Sequence, residues 1–116
     1  MSNKREEGKR GEERATDILT AEGYRILDKN YRNHLGEIDI IAEENGYLVF
    51  VEVKKRNTPV YGASLEAINS AKRKHIIKSA LYYMKTHRCF NRKVRFDVVG
   101  IDGDHVKIVK HAFGLE

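Results

Sequence analysis

Cysteine is nearly absent, with Cys89 standing alone among 116 residues. An internal disulfide is therefore impossible, and no Cys/His spacing resembles a zinc site, so Cys89 is expected to be a free thiol of a reducing compartment. Proline is as scarce, Pro59 being the only one. There is no internal repeat and no low-complexity block. No apolar run approaches bilayer-spanning length, and residues 1–10 are charged and lack an apolar h-region. These absences argue against a disulfide scaffold, a repeat array and a helical membrane protein. A cytoplasmic location is the expectation they leave.

Hydrophobic residues make up 41% of the chain and charged residues 34%, a balance rich in charge but globular rather than disordered. One domain over residues 1–116 is expected, without a linker and with 1–10 flexible. Twenty-two Lys and Arg against seventeen Asp and Glu give a net charge of +5. An excess of that sign favours a polyanionic partner, nucleic acid first among them.

Ala15, Ile18 and Leu19 repeat at helical spacing before Gly23, which predicts a short first helix over 12–22. Tyr24 and Ile26 open a strand over 24–32, and Ile38, Ile40 and Ile41 mark a second. Asn45-Gly46 is a hairpin signal leading into 47–53, the most apolar segment, predicted to be central and covered on both faces. Residues 58–63 are expected to be a loop. Ser64 is the expected cap of a long helix over 64–87, with Glu66 in its first turn and Ile77, Ala80, Leu81 and Met84 on its apolar face. Strands over 93–101 and 105–109, joined at Asp102-Gly103, complete an αβββαββ order. The fold class is α/β, with a mixed central sheet flanked by helices.

Asp39 and Glu52 each interrupt an apolar strand, where an ionised carboxylate is costly unless a cation or hydrogen-bond donors compensate it. Side chains alternate along a strand, so Glu52 and Lys54 share a face, about 7 Å apart. The Asn45-Gly46 turn folds Asp39 back toward Glu52. Two converging carboxylates suit a hard divalent cation, Mg²⁺ or Mn²⁺, and a neighbouring lysine can orient a water or stabilise charge growing on a phosphate.

Asp39 followed by Glu52-Val53-Lys54 resembles the PD-(D/E)xK signature of restriction-endonuclease-like nucleases, with Ile38 where that signature usually has proline. Gly11-Glu12, Gly23-Tyr24, Asn30-Tyr31-Arg32, Gly36-Glu37-Ile38-Asp39, Val49-Phe50-Val51-Glu52-Val53-Lys54, Gly62 and Arg95-Phe96-Asp97-Val98-Val99 resemble the YraN family of small bacterial proteins over nearly the whole chain. The resemblance implies a restriction-endonuclease-like core and a metal held by Asp39, Glu52 and the Val53 carbonyl. Similarity to archaeal Holliday-junction resolvases implies a further acid on the first helix. Glu12 lies beside the Ala15, Ile18 and Leu19 stripe whereas Glu13 points nearly opposite, so Glu12 is the candidate.

Glu37 is expected to face away from the site as a surface or salt-bridge residue, and Asp97 to pair with an Arg or Lys. Lys55 and Arg56, beside Lys54, and Lys72, Arg73 and Lys74 are the candidate phosphate-backbone contacts, although a solvated helix face explains the second group equally well. Tyr61, Tyr82 and Tyr83 are assigned to packing, and the histidines form no triad. The favoured reading is a Mg²⁺- or Mn²⁺-dependent nuclease acting on branched or structured DNA, possible as a homodimer by analogy with resolvases. A non-catalytic nucleic-acid-binding module and a protein-interaction domain are its rivals.

Overall fold

The computed structural model describes residues 4–56 and 68–114. Its elements are α1 (Lys4–Ala21), β1 (Arg25–Asn33), β2 (Gly36–Glu44), β3 (Tyr47–Arg56), α2 (Ser70–Thr86), β4 (Lys93–Asp102) and β5 (His105–Phe113), the αβββαββ order expected. The five strands lie in the order β1-β2-β3-β4-β5. Every neighbouring pair is antiparallel except β3 and β4, which run parallel because α2 intervenes as a crossover.

Local chemistry sets the boundaries. α1 closes on a Schellman motif: Gly23 takes φ 96°, its N–H donates to the Thr20 carbonyl, and the Tyr24 N–H donates to Leu19. Asn45 and Gly46, both at positive φ, make the tight turn between β2 and β3. α2 is capped by Asn69, whose side chain accepts the Lys72 N–H at 2.9 Å.

Several expectations need correction. α1 begins at Lys4, about two turns earlier than predicted, because its Lys, Arg and Glu residues are good helix formers that extend a helix without an apolar stripe. Residues 4–10 are thus part of the helix. Nor does one helix run over 64–87: Asn69 is extended, at φ −85° and ψ 176°, and the helix starts after it. Ser64 and Glu66, like the expected loop, Gly62 and Tyr61, lie outside the described residues.

β3 is central and covered on both faces, as its sequence requires. Val49 and Val51 join Ile40, Ala42, Val99 and Ile101 beneath Ala15 and Leu19 of α1. Leu48 and Phe50 join Ile38, Ile41 and Phe96 beneath Ile76, Ala80, Tyr83 and Met84 of α2. The helices therefore cover opposite faces. Burying these side chains contributes on the order of 1.5–3 kcal/mol for each large one.

Asp97 is fully buried on the α1 face and does pair with an arginine. Arg95 reaches it through Nε at 2.9 Å and through Nη2 at 2.9 Å, the Tyr24 hydroxyl donates to it at 2.7 Å, and the His111 N–H donates at 3.1 Å. Burial alone lowers the proton affinity of Arg95, but its bonds to Asp97 and Glu44 more than offset this. Asp97 is a satisfied structural anion.

One departure from regular strand geometry positions everything that follows. Ile38 and Ile40, two residues apart, should share a face, yet Ile38 packs in the α2 core and Ile40 in the α1 core. On β1, opposite, Asn30 takes φ 55° between Lys29, paired with Ile40, and Tyr31, paired with Ile38. Both strands thus turn over at the same level, Asn30 on one and Asp39 on the other. The β2–β3 ladder stops there, its last pair being Ile40 with Val51.

Candidate active site

Asp39 sits at that turnover, 8% exposed, and its Oδ2 accepts the Val53 N–H at 2.8 Å. The side chain thereby takes up a donor that the ended ladder leaves without a backbone partner on β2. A residue's N–H and C=O point to the same strand edge, so the Val53 carbonyl faces this opening as well. Glu52, 4% exposed, projects to the α2 face along with Lys54. Its Oε1 lies 3.7 Å from Nζ of Lys72, in the first turn of α2.

Burial raises the Asp39 pKa to about 6, the Val53 N–H holds it back, and the charges of Glu12 and Glu37 push it further up. Burial also raises Glu52, to about 7, and repulsion from Asp39 adds to it, while Lys72 and Lys54 oppose the rise. Each carboxylate therefore lacks part of the positive charge its ionised form requires. Glu12 is raised too, mainly by burial, with the Asn30 side chain offsetting part of the effect. The half-buried Glu12 is close enough to influence Asp39, so α1 brings its acid to the site from the other face.

The sequence candidates divide accordingly. Asp39, Glu52, Val53, Lys54 and Glu12 come together around the end of the β2–β3 ladder. Lys55 points to the α1 side and packs on Gly11, where an added Cβ would lie 3.4 Å from its Cδ. Arg73 and Lys74 are exposed on α2. Arg56 ends β3, and its side chain lies outside the described residues.

Sequence reasoning misplaces two residues. Lys72, expected as a phosphate-backbone contact or part of a solvated helix face, is the partner of buried Glu52. The helical turn after Asn69 puts it there, a tertiary placement with no local signal. Glu37 does form the expected salt bridge, with Arg32 at 3.3 Å, but it is not remote: its charge bears on Asp39, Glu52 and Glu12.

Among the described residues no group of three or more His, Cys, Asp or Glu side chains is disposed to hold a metal ion. The donor set is smaller, the Asp39–Glu52 pair with the Val53 carbonyl. Two hard, under-compensated oxygen donors and one carbonyl suit a Mg²⁺- or Mn²⁺-sized cation that completes its shell with water or substrate oxygens. Among the described residues no helix is long and apolar enough to cross a membrane.

Comparison with known proteins places these residues in a family. The model of the uncharacterised protein family UPF0102 matches residues 11–101, a span containing Glu12, Asp39, Glu52, Lys54 and Lys72. A UPF0102 protein of Lachnoclostridium phytofermentans is 46% identical over 96% of this chain and 95% of its own length. One from Persephonella marina is 42% identical over 94% of both chains. Another, from Alkalilimnicola ehrlichii, is 42% identical over 93% of this chain and 86% of its own length. The YraN resemblance of the sequence agrees with these matches.

Proposed function

The chain belongs to the uncharacterised protein family UPF0102, and we propose that it acts as a divalent-metal-dependent nuclease on DNA, branched or otherwise structured, around Asp39 and Glu52. The observation that carries this reading is the pair of buried carboxylates with raised proton affinity at the point where the β2–β3 ladder ends. The bond to the Val53 N–H accounts for an acceptor at position 39 but not for a second buried acid at position 52. A carboxylate pair left short of counter-charge costs stability, and such strain concentrates at functional sites.

Asp39, Glu52 and the Val53 carbonyl would hold the cation. Once bound, it would supply positive charge against the phosphate and lower the pKa of a water. Glu12, with its elevated proton affinity, would help hold the metal or its water from the α1 side. Lys54, on the Glu52 face, stabilises charge developing on the phosphate oxygens. The resolvase resemblance favours branched DNA over plain duplex, and the basic balance of the chain suits either.

The test is Mn²⁺ binding to the metal-free protein, by calorimetry and by paramagnetic broadening of amide resonances. Weak binding centred on residues 39 and 52–54 is expected, and Asp39→Asn with Glu52→Gln should abolish it. An equal response in wild type and the double variant would remove the site.

A further inference from the structure

Lys72 borders two places at once. On one side its ammonium pairs with Glu52, and on the other it lines a cleft of about 430 Å³ between the β1–β2 turn and α2. Arg32, Asn33, Gly36, Glu37, His75 and Ile76 form the rest of that cleft's lining. The cleft therefore opens directly beside the carboxylates.

Its chemistry suits an anion. Arg32, Lys72 and His75 present nitrogen donors, and the single acid, Glu37, is already paired with Arg32. Gly36 lies against α2, where a Cβ would meet the His75 carbonyl at 3.5 Å, an ordinary contact, and its φ of 150° favours glycine. Ile76 contributes an apolar patch. A cleft of this size is at the small-ligand end of binding sites, with room for roughly one nucleotide unit rather than a duplex.

The ion pair is unequal in mobility. The Glu52 side chain is 5% exposed and fixed in β3, whereas that of Lys72 is 39% exposed and carries its charge on a flexible stem. A divalent cation beside Asp39 and Glu52 would meet the like charge of Lys72 at close range. A phosphate in the cleft would offer that ammonium another partner.

Resting on the metal-site reading, we propose that the cleft is a phosphodiester subsite for nucleic acid, and that Lys72 couples its occupancy to metal binding by exchanging Glu52 for the substrate phosphate. Lys72 balances Glu52 until a substrate phosphate draws its ammonium away. Coupling of this kind is reciprocal, so substrate favours metal and metal favours substrate.

Two measurements test this. In the first, Mn²⁺ affinity without DNA is measured by calorimetry for wild type, Lys72→Met, Lys72→Gln and Lys85→Met, the last carrying the same change in net charge far along α2. Both Lys72 variants should bind Mn²⁺ about tenfold more tightly, from removal of a like charge at close range, and Lys85→Met should match wild type. In the second, metal-free protein is titrated with inorganic phosphate and with a short single-stranded oligonucleotide. Amide resonances of Arg32, Gly36 and His75 should move with both, the oligonucleotide acting at far lower concentration, and Lys72→Met should reduce the response.

Unchanged Mn²⁺ affinity in the Lys72 variants, or cleft resonances unmoved by the oligonucleotide, would overturn the proposal while leaving the metal site standing. Movement with phosphate but not oligonucleotide would also overturn it, marking a small-anion site. If Mn²⁺ binds wild type no differently from the Asp39→Asn, Glu52→Gln variant, the metal site fails and the coupling fails with it.

Discussion

Asp39 Oδ2 accepts the backbone N–H of Val53 at 2.8 Å, just past the last β2–β3 pair. A side chain thus does at the kink what the backbone does elsewhere. Asn at position 39 can still accept that bond, whereas Ala cannot. Because both variants remove the charge, their difference isolates the hydrogen bond and its space. Urea unfolding should find Asp39→Asn more stable than Asp39→Ala by about 1–3 kcal/mol. Equal stabilities would mean that Val53 finds another acceptor.

The raised carboxylates give stability a pH dependence of definite sign. Asp39 rises from 3.8 to about 6 and Glu52 from 4.5 to about 7, so the native state holds these protons more tightly than the unfolded chain does. Their contribution is fully present below the unfolded values and is lost as pH rises through the folded ones. Thermal unfolding of metal-free protein should therefore show a midpoint that rises as pH falls from above 7 toward 5. Asp39→Asn with Glu52→Gln should flatten this slope and unfold at a higher temperature than wild type at neutral pH. A wild-type slope of opposite sign would contradict the placement of the pair.

Asp97 and Arg95 form a second buried charged pair among the described residues, and each of the two is partnered. Removing one member strands the other, so Arg95→Met or Asp97→Ala should each cost about 3–5 kcal/mol in denaturant unfolding. Tyr24→Phe deletes one hydroxyl and should cost only about 0.5–1.5 kcal/mol. Neither Mn²⁺ affinity nor its dependence on Asp39 should change in Tyr24→Phe, which separates this structural cluster from the site.

DNA affinity should respond to the cations of α2. Neutralising Lys72, Arg73 and Lys74 together should weaken binding in gel shifts and reduce the slope of log affinity against log salt by about one for each phosphate whose cation is removed. Asp39→Asn removes negative charge near the phosphate and should leave affinity unchanged or higher. A fall in affinity confined to one DNA sequence would argue against binding through the phosphate backbone.

Much of this was legible in the sequence for physical reasons. Asn45-Gly46 and the apolar run of β3 are local signals strong enough to fix a hairpin and a central strand. Asp39 and Glu52 stood out because acids are expensive in such strands. The turnover at Asn30 and Asp39 was not legible, since Ile38, Ile40 and Ile41 fit either face and only packing against two different helices decides. The pairing of Lys72, a candidate phosphate contact, with Glu52 was not legible for a related reason. The lysine's charge looked like any other on an exposed helix until α2 was docked beside β3. α1 was underestimated because helix propensity in its charged first turns leaves no periodic pattern.

The most direct measurement is cleavage of a panel of duplex, flap, junction and single-stranded DNA with Mg²⁺ or Mn²⁺, comparing wild type with folded Asp39→Asn and Lys54→Ala. Wild type should cut at least one structured form only with metal, and each variant should lose cleavage, by about a hundredfold or more, while keeping its fold and DNA binding. Failure of wild type to cut any member with either metal, or undiminished cutting by Asp39→Asn, would contradict the nuclease reading.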